Sequence, residues 1–182
     1  MEPALPATAP VRPTPAATLC QAWYEAYGRE VYSYVRFHLP TADAAEDVTA
    51  DTFLKAFRAA DRFDEARGSA KAWLFRIAQN TLRDHLRRSR LRQYVPLGAM
   101  RDLVAEAPSP EERLLWEEQV ARLLASMAEL RPADRELIGL RYGGGLDTAQ
   151  VAEVLGLREA VVRTRLWRAL DRLRALMVEE DK

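Results

Sequence analysis

The most specific stretch of the chain runs from Asp147 to Leu173 and reads DTAQVAEVLGLREAVVRTRLWRALDRL. It predicts a short helix capped by Asp147, a turn at Gly156 and a longer helix that begins near Glu159. This arrangement is typical of a helix-turn-helix, whose second helix enters the major groove of duplex DNA. A helical pair that only packs in a core is the alternative, but it does not explain the excess of arginine in the second helix.

The second helix of this pair separates apolar residues from polar and basic ones. Its expected core stripe consists of Val162, Leu166, Ala169, Leu170 and Leu173. The residues expected to face outward or to flank that face are Ala160, Val161, Arg163, Thr164, Arg165, Trp167, Arg168, Asp171 and Arg172. Six arginines lie between Arg158 and Arg174, against two acidic residues, so a positive surface is predicted.

Helical spacing of apolar residues continues along the chain, strand-like alternation is absent, and the expected fold is all-α. Residues 1–17 hold five of the ten prolines and are predicted to be a disordered Pro/Ala-rich tail. Residues 18–93 are expected to form one small helical domain and residues 110–178 a second, the helix-turn-helix domain. Residues 94–109 contain prolines and a glycine without a sustained period, which predicts a flexible linker.

Helix boundaries follow from capping residues and breakers. Thr18, Thr41 and Ser69 are the expected N-caps of the three helices in the first domain. A later helix is expected from Pro132 to Tyr142, ended by the run of three glycines at 143–145.

Composition excludes several classes of protein. The chain has 27 basic and 27 acidic residues and a single cysteine, Cys20, which rules out an internal disulfide framework and a cysteine-rich zinc site. No run approaches the roughly 18 apolar residues that span a bilayer, so we expect a cytoplasmic protein without membrane insertion. The basic residues are 24 Arg and 3 Lys. Guanidinium groups suit phosphate and guanine, although a GC-rich genome produces the same bias.

The zero net charge conceals segregated charges. In the second helix Asp43, Asp47 and Asp51 recur every four residues on one face, although like charges at that spacing repel. The opposite face carries Val48, Thr52, Phe53, Ala56, Phe57 and Ala60 and is expected to be buried. The acidic face could receive a basic partner, or it could simply be solvated.

The third helix carries the opposite charge. Its outer ridge is expected to contain Arg76, Asn80, Arg83, Arg87 and Arg90, with Trp73 at the border. Arginine provides affinity for phosphate, while an amide and an aromatic ring can bond and stack an unpaired base. The ridge therefore suits single-stranded nucleic acid, although a hydrated basic face with Trp73 in the core fits the same pattern.

With both halves in view, the chain resembles the bacterial RNA polymerase sigma factors of the extracytoplasmic-function (ECF) type, in the sigma-70 family. The resemblance extends from about Leu19 to Met177. It rests on AEDVTADTF (45–53), GSAKAWLFRIAQN (68–80), LRPADRELIGLRY (130–142) and the stretch 147–173, in the order that the family has them.

The resemblance implies a role for each charged surface. The first domain would bind core RNA polymerase through Asp47, Asp51, Phe53 and Phe57. The melted minus 10 promoter element would be read by Trp73, Arg76, Asn80, Arg83 and Arg87. The minus 35 duplex would be read by Arg158, Val161, Arg163, Thr164, Arg165 and Arg168. The implied partners are core polymerase, promoter DNA and an anti-sigma factor, and no cofactor or metal is implied.

The chain departs from the family pattern at the start of the recognition helix. Arg158 stands where the family usually has Ser, and Ala160-Val161 replaces a small residue followed by Thr. The missing hydroxyls remove a cap and a DNA contact, so the minus 35 sequence cannot be transferred from relatives. Val161 could contact a thymine methyl instead.

Other functions remain as alternatives. A stand-alone helix-turn-helix regulator would use only the second half of the chain. An enzyme acting on nucleic acid would need a nucleophile, metal site or acid/base pair, and the sequence offers none, because His38 and His85 are far apart. A protein that kept the fold and lost promoter binding is suggested only by the altered start of the recognition helix.

Overall fold

The computed structural model describes residues 14–91 and 110–179. Within those residues the chain forms helices and turns and no strand, which confirms the predicted all-α fold. Residues 1–13 of the predicted tail and the whole of the predicted linker, 94–109, lie outside the described residues.

Seven α-helices make up the described parts of the chain. They are α1 (Pro15–Arg36), α2 (Ala42–Arg58), α3 (Ala70–Leu91), α4 (Pro110–Glu129), α5 (Pro132–Ile138), α6 (Thr148–Leu155) and α7 (Glu159–Glu179). Two short 3₁₀ turns, Ala60–Arg62 and Glu65–Arg67, connect α2 to α3.

The first helix begins earlier than the sequence predicts. Thr14, not Thr18, is the N-cap of α1, since its side chain accepts a hydrogen bond from the backbone N–H of Ala17 at 3.2 Å. Pro15 has its φ preset for the first helical position and donates no N–H, so the helix extends through three residues of the predicted tail. The caps predicted at Thr41 and Ser69 are confirmed: they accept from Ala44 and Ala72 respectively.

The fifth helix changes character before its predicted end at Tyr142. Regular α-helix stops at Ile138, and Gly139–Gly143 forms a single π turn closed by a 2.8 Å bond from Gly144 N to Gly139 O. Glycine at both ends of this turn leaves space for Phe37 and His38, which follow the end of α1, to approach the widened backbone. Gly145 then takes a positive φ of 58°, which ends the helix.

The predicted helix-turn-helix is formed by α6 and α7. Asp147 and Gln150 make a reciprocal capping box at the start of α6. Gly156 adopts the left-handed conformation (φ 64°), and the bond from Leu157 N to Ala152 O at 2.9 Å completes a Schellman turn. Val162, Leu166, Ala169 and Leu173 are buried and Leu170 is half-buried, as the predicted core stripe requires.

The first three helices pack around a core that includes Val31, Tyr34, Val48 and Leu74, all almost fully buried. One residue of the predicted buried face of α2 is wrongly placed by the sequence pattern. Phe57 is 44% exposed although the adjacent Ala56 is fully buried, because successive residues of a helix point about 100° apart.

The two domains pack directly against each other. The π turn lies on α1, α6 lies on α3, and one continuous apolar core includes residues from both domains. Phe75, Gln79 and Leu82 of α3 are buried. The sequence pattern did not predict this contact, which brings the predicted nucleic-acid ridge next to the helix-turn-helix domain.

Candidate nucleic-acid interface

The acidic face of α2 is open to solvent. Asp47 and Asp51 are exposed one turn apart, and Leu54, 45% exposed, continues the same face. Phe57 lies at its edge, whereas Phe53 is half-buried and packs edge-on against Tyr24 with ring centroids 5.0 Å apart. The structure therefore places the four predicted polymerase-binding residues on one helix. Part of the Phe53 ring is used in the contact between α1 and α2.

The predicted ridge of α3 is also present as one surface. Arg76, Asn80, Arg83 and Arg87 are all exposed and recur at helical spacing. Arg87 is bonded to Asp84 at 3.0 Å, and the same carboxylate lies 3.6 Å from Lys55 of α2. The side chain of Arg90 lies outside the described part of the structure.

Trp73 takes part in both a core and a surface. It is half-buried in an aromatic cluster, 5.1 Å from the ring of Trp23 and 5.4 Å from Phe63. One side of the indole also lines a cleft at the start of α3. The two interpretations that the sequence left open are therefore compatible, because packing against Trp23 and Phe63 holds the ring at the edge of the cleft.

The cleft has a volume of about 210 Å³ and a mainly polar lining. It is lined by Arg62, Phe63, Asp64, Arg67, Gly68, Trp73, Arg76 and Glu153. Arg62, Arg67 and Glu153 were not among the residues predicted from the sequence. Arg62 and Arg67 lie in the 3₁₀ turns between α2 and α3, where no helical period could show on which side they face, and Glu153 comes from α6 of the other domain.

The outward face of α7 carries the residues predicted to read duplex DNA. Arg158, Arg163, Thr164, Arg165 and Arg168 are exposed, and Val161 is half-buried. The guanidinium of Arg163 lies 3.4 Å from Glu159, and the hydroxyl of Thr164 donates to the carbonyl of Ala160. Trp167, 68% exposed, also lies on this helix.

The first turn of α7 is held by the backbone. The carbonyl of Arg158 accepts from the N–H groups of Val161 and Val162, at 2.9 and 3.1 Å. An arginine side chain carries only donors, so it cannot accept a hydrogen bond from the N–H groups of this first turn as a serine hydroxyl would. The hydroxyl of Thr148 in α6 donates instead to Glu159, which ties the first turns of the two helices together at 3.1 Å.

A largely buried polar cluster joins the two domains. Glu136 of α5 accepts hydrogen bonds from the hydroxyl of Tyr34 at 2.7 Å and from Nε2 of Gln79 at 2.9 Å. Nε2 of His38 lies 3.3 Å from the second carboxylate oxygen, and its Nδ1 faces the carbonyl of Tyr34 at 2.9 Å. None of the four residues was predicted from the sequence, because Tyr34, Gln79 and Glu136 lie on three helices that are distant in sequence and His38 lies in the turn after α1.

The cluster stabilises the ionised form of Glu136. Burial alone raises the pKa of this carboxyl, but the interaction with His38 and the hydrogen bonds from Gln79 and Tyr34 outweigh it and lower the pKa below its ordinary value. Burial, followed by the charge of Glu136, raises the pKa of the Tyr34 phenol well above its ordinary value. Tyr34 therefore remains a hydrogen-bond donor throughout the physiological pH range.

Two family models match the chain in the order expected from these surfaces. The model of sigma-70 region 2 matches residues 23–92, and the model of sigma-70 region 4 matches residues 121–173. The RNA polymerase sigma factor CnrH of Cupriavidus metallidurans is 35% identical over 78% of this chain and 76% of its own length. The chain belongs to the ECF sigma factors of the sigma-70 family.

Another relative and one solved structure agree with this assignment, and a second solved structure shows the same fold. The ECF RNA polymerase sigma factor BldN of Streptomyces coelicolor is 34% identical to this sigma factor over 87% of the chain, which spans 60% of BldN. The structure of CnrH with the cytosolic domain of CnrY matches with a TM-score of 0.61, 30% identity and coverage of 92% of this chain and 89% of that one. The sigma factor RpoE of Bartonella quintana, bound to the anti-sigma factor NepR, has the same fold, with a TM-score of 0.68, 20% identity, and coverage of 86% and 95%.

Membership decides between the functions left open by the sequence. This sigma factor is a promoter-specificity factor rather than a stand-alone helix-turn-helix regulator, and sigma factors are not enzymes. Within residues 14–91 and 110–179, no group of His, Cys, Asp and Glu side chains is arranged as a metal site. No helix among those residues is both long and apolar enough to cross a bilayer.

Proposed function

We propose that this sigma factor binds core RNA polymerase through α2 and directs it to promoters by reading two DNA elements with α3 and α7. The observation that carries the proposal is the separation of charge among three exposed helical faces. Asp47 and Asp51 make α2 acidic, whereas the outward faces of α3 and α7 are rich in arginine. An acidic face suits a basic protein surface, and arginine-rich faces suit phosphate.

In this proposal α2 docks through Asp47, Asp51 and the exposed ring of Phe57. Phe53 contributes mainly by holding α2 against Tyr24 of α1. Charge reversal at Asp47 would place a guanidinium against a basic partner and would leave the core intact, since the residue is exposed.

The cleft at the start of α3 is proposed to accept an unstacked base of the melted minus 10 element. The indole of Trp73 provides a stacking surface in the cleft. Arg62, Arg67 and Arg76 provide positive charge around the opening. Asn80 and Arg83 lie further along the same helix and would contact the next nucleotides.

The minus 35 duplex is assigned to α7. Arg163, Arg165 and Arg168 would divide between phosphates and base edges, and Thr164 and Val161 lie between them on the helix. Each domain is small, so tight promoter binding is expected only when both are held by the same polymerase and act with a high effective concentration.

We further propose that the protein acts in the cytoplasm and is controlled by an anti-sigma factor. The support for this partner is the pair of similar structures, both solved as sigma factor complexes: CnrH with CnrY and RpoE with NepR.

The test is transcription by sigma-free core polymerase from a randomised promoter library, with and without this protein, followed by sequencing of the transcribed templates. Enrichment of two separated sequence blocks is expected. Transcription without any enriched block, or absence of core binding by this protein, would contradict the proposal. Repeating the selection with Asn80→Ala and Arg168→Ala should alter the downstream and upstream blocks respectively.

A further inference from the structure

The indole of Trp167 is open to solvent on the outward face of the recognition helix α7. The residue is 68% exposed, the largest fraction among the exposed large hydrophobic residues in the described part of the chain. Trp23, by contrast, is buried, and Trp73 is half-buried against it. A single exposed hydrophobic side chain is ordinary on a protein surface. What distinguishes Trp167 is its position among the residues assigned to duplex DNA.

Trp167 ends a row of side chains spaced three residues apart along α7. The row consists of Val161, which is half-buried, and the exposed Thr164 and Trp167. Side chains at this spacing form a continuous ridge on a helix, and this ridge is about 9 Å long. Arg163 and Arg168 lie on opposite sides of it and are exposed. The outward face of α7 is therefore a ridge of three uncharged side chains between basic ones, and not a uniformly basic surface.

The ridge offers few polar groups to a base. The hydroxyl of Thr164 donates to the carbonyl of Ala160 at 3.0 Å, so its proton is used within the helix. Val161 has no polar side-chain atom, and Trp167 has one N–H group on a large apolar ring. Methyl groups and the indole therefore make up most of the surface that the ridge can present to DNA.

The side chains of α7 match only some of the bases. In the major groove arginine pairs with guanine, asparagine or glutamine with adenine, and an acidic side chain with cytosine, whereas an apolar group contacts the methyl group of thymine. The helix (Glu159–Glu179) contains no asparagine and no glutamine. Glu159 already accepts hydrogen bonds from Thr148 and Arg163. An A·T pair that faces α7 is therefore best recognised through the thymine methyl group.

We propose that Trp167 is a specificity-determining residue of the minus 35 reader, whose indole packs against the C5 methyl group of a thymine in the major groove. This inference rests on the proposed assignment of α7 to the minus 35 duplex and adds a base that the helix reads. Arg163, Arg165 and Arg168 hold the helix on phosphates and guanines. The ridge between them selects thymine by burying its methyl group.

The position of Trp167 along α7 also predicts where this thymine lies. The N-terminal residues of a recognition helix contact base edges first, and Trp167 lies about 12 Å along the helix from Glu159. Asp171, one turn further on, is exposed, and phosphates would repel its carboxylate. The reading part of α7 therefore ends near Trp167. Its thymine should lie at one end of the upstream block and not at the centre.

The experiment compares thymine with deoxyuridine, which lacks only the C5 methyl group. Holoenzyme formed from core polymerase and the full chain is bound to the promoter selected by library transcription, and each thymine of the upstream block is replaced by deoxyuridine in turn. Wild-type binding should fall about threefold to fourfold at one or two positions, as expected for burial of one methyl group. At those positions Trp167→Ala should bind thymine and deoxyuridine equally.

Two further variants make the readout specific. Trp167→Phe keeps an aromatic ring and should keep most of the discrimination against deoxyuridine. Tyr142→Ala removes an exposed aromatic ring of the same domain outside α7 and should leave the discrimination unchanged. Circular dichroism should show the wild-type helix content for all three variants, since both residues are exposed. Competition between the two duplexes gives their affinity ratio, which does not depend on the overall affinity of the holoenzyme.

The outcomes are distinguishable. If no position of the upstream block discriminates thymine from deoxyuridine, or if Trp167→Ala keeps the wild-type discrimination, the proposal is wrong. Trp167→Ala would then show a contact with the sugar-phosphate backbone if it weakens binding to both duplexes equally, and a protein contact if it weakens binding to core polymerase. Failure of the underlying assignment has a separate readout, because Arg163→Ala and Arg168→Ala would then leave promoter binding by the holoenzyme unchanged.

Discussion

The hydroxyl of Tyr34 donates a 2.7 Å hydrogen bond to the carboxylate of Glu136 across the boundary between the two domains. Tyr34 is fully buried in the first domain, and Glu136 belongs to the second. An ionised carboxylate that is largely shielded from water needs hydrogen-bond partners, and here the donors come from the opposite domain. The bond therefore couples the stability of the cluster to domain docking.

We predict that Glu136→Gln weakens docking and lowers the free energy of unfolding by about 1–3 kcal/mol, because an amide cannot satisfy Tyr34, Gln79 and His38 together. Tyr34→Phe should cost less, since it removes one donor and leaves Gln79 in place. Chemical denaturation followed by circular dichroism measures both. Glu118→Gln, an exposed change in α4, is the control. Equal stability of Glu136→Gln and this control would contradict the prediction.

The pH dependence follows from the same carboxyl. The pKa of Glu136 in the folded protein lies below its ordinary value, so its contribution to stability is fully present above the pKa of the unfolded chain. That contribution is lost as the pH falls through the lower pKa of the folded state. We therefore expect acid to weaken docking, with a smaller effect in Glu136→Gln.

Stability curves of the wild type and Glu136→Gln at several pH values between neutral and strongly acidic would measure this difference. His38, Tyr34 and Arg83 also face or act on the cluster, so the two proteins must be compared at each pH. If the free energies of unfolding of the wild type and Glu136→Gln change in parallel down to the lowest pH, Glu136 makes no pH-dependent contribution to stability.

Asp47→Arg should abolish or strongly reduce binding to core polymerase and leave the helical spectrum unchanged. The residue is exposed on α2, and reversal of a single charge against a basic partner replaces attraction by repulsion. Surface plasmon resonance with immobilised core enzyme measures the affinity. Glu118→Arg makes the same change of charge on α4 and should bind normally. Normal binding by Asp47→Arg would place the polymerase surface elsewhere.

Arg168→Ala should weaken binding to the minus 35 duplex and reduce the dependence of log K on log salt by about 1 if this residue contacts a phosphate. Loss of affinity with an unchanged salt slope would indicate a base contact instead. Fluorescence anisotropy over a range of salt concentrations gives both quantities. Arg131→Ala, exposed outside α7, is the control and should alter neither.

Arg158→Ser should stabilise the second domain by about 1 kcal/mol, because serine can cap the first turn of α7 and arginine cannot. Thermal unfolding measures the change. Arg158→Ala removes the charge without adding a hydroxyl and should not stabilise the domain in the same way. If the serine and alanine variants have the same melting temperature, the backbone contacts of Arg158 already satisfy this helix end.

Local signals in the sequence predicted most elements of the fold. Asp147 and Gly156 define the helix-turn-helix through capping and backbone conformation, which depend on neighbouring residues only. Helical spacing also placed Arg76, Asn80 and Arg168 on outward faces. The predicted start of α1, at Thr18, was wrong because the proline-rich composition before it predicted a disordered tail. That prediction took no account of Thr14, which caps the helix.

The contact between the domains could not be predicted in the same way. Helical periodicity indicates that a face is buried, as for Val162 and Leu166 of α7, but not which partner covers it. Tyr34 and Glu136 are 102 residues apart, and nothing in either local sequence indicates a shared site. Glu153 looked like an ordinary polar residue of a short helix. Its carbonyl accepts a hydrogen bond from Arg76, a contact that only the tertiary structure shows.

The π turn at Gly139–Gly143 also determines how the second domain can evolve or be exchanged. Relative to a regular α-helix it is equivalent to an insertion of one residue, and each residue turns a helix by about 100°. Deleting one residue there would rotate everything that follows, including the recognition helix, relative to α5. A chimera that carries the helix-turn-helix of another sigma factor must therefore join the two chains after Gly145, so that the recognition helix keeps its orientation.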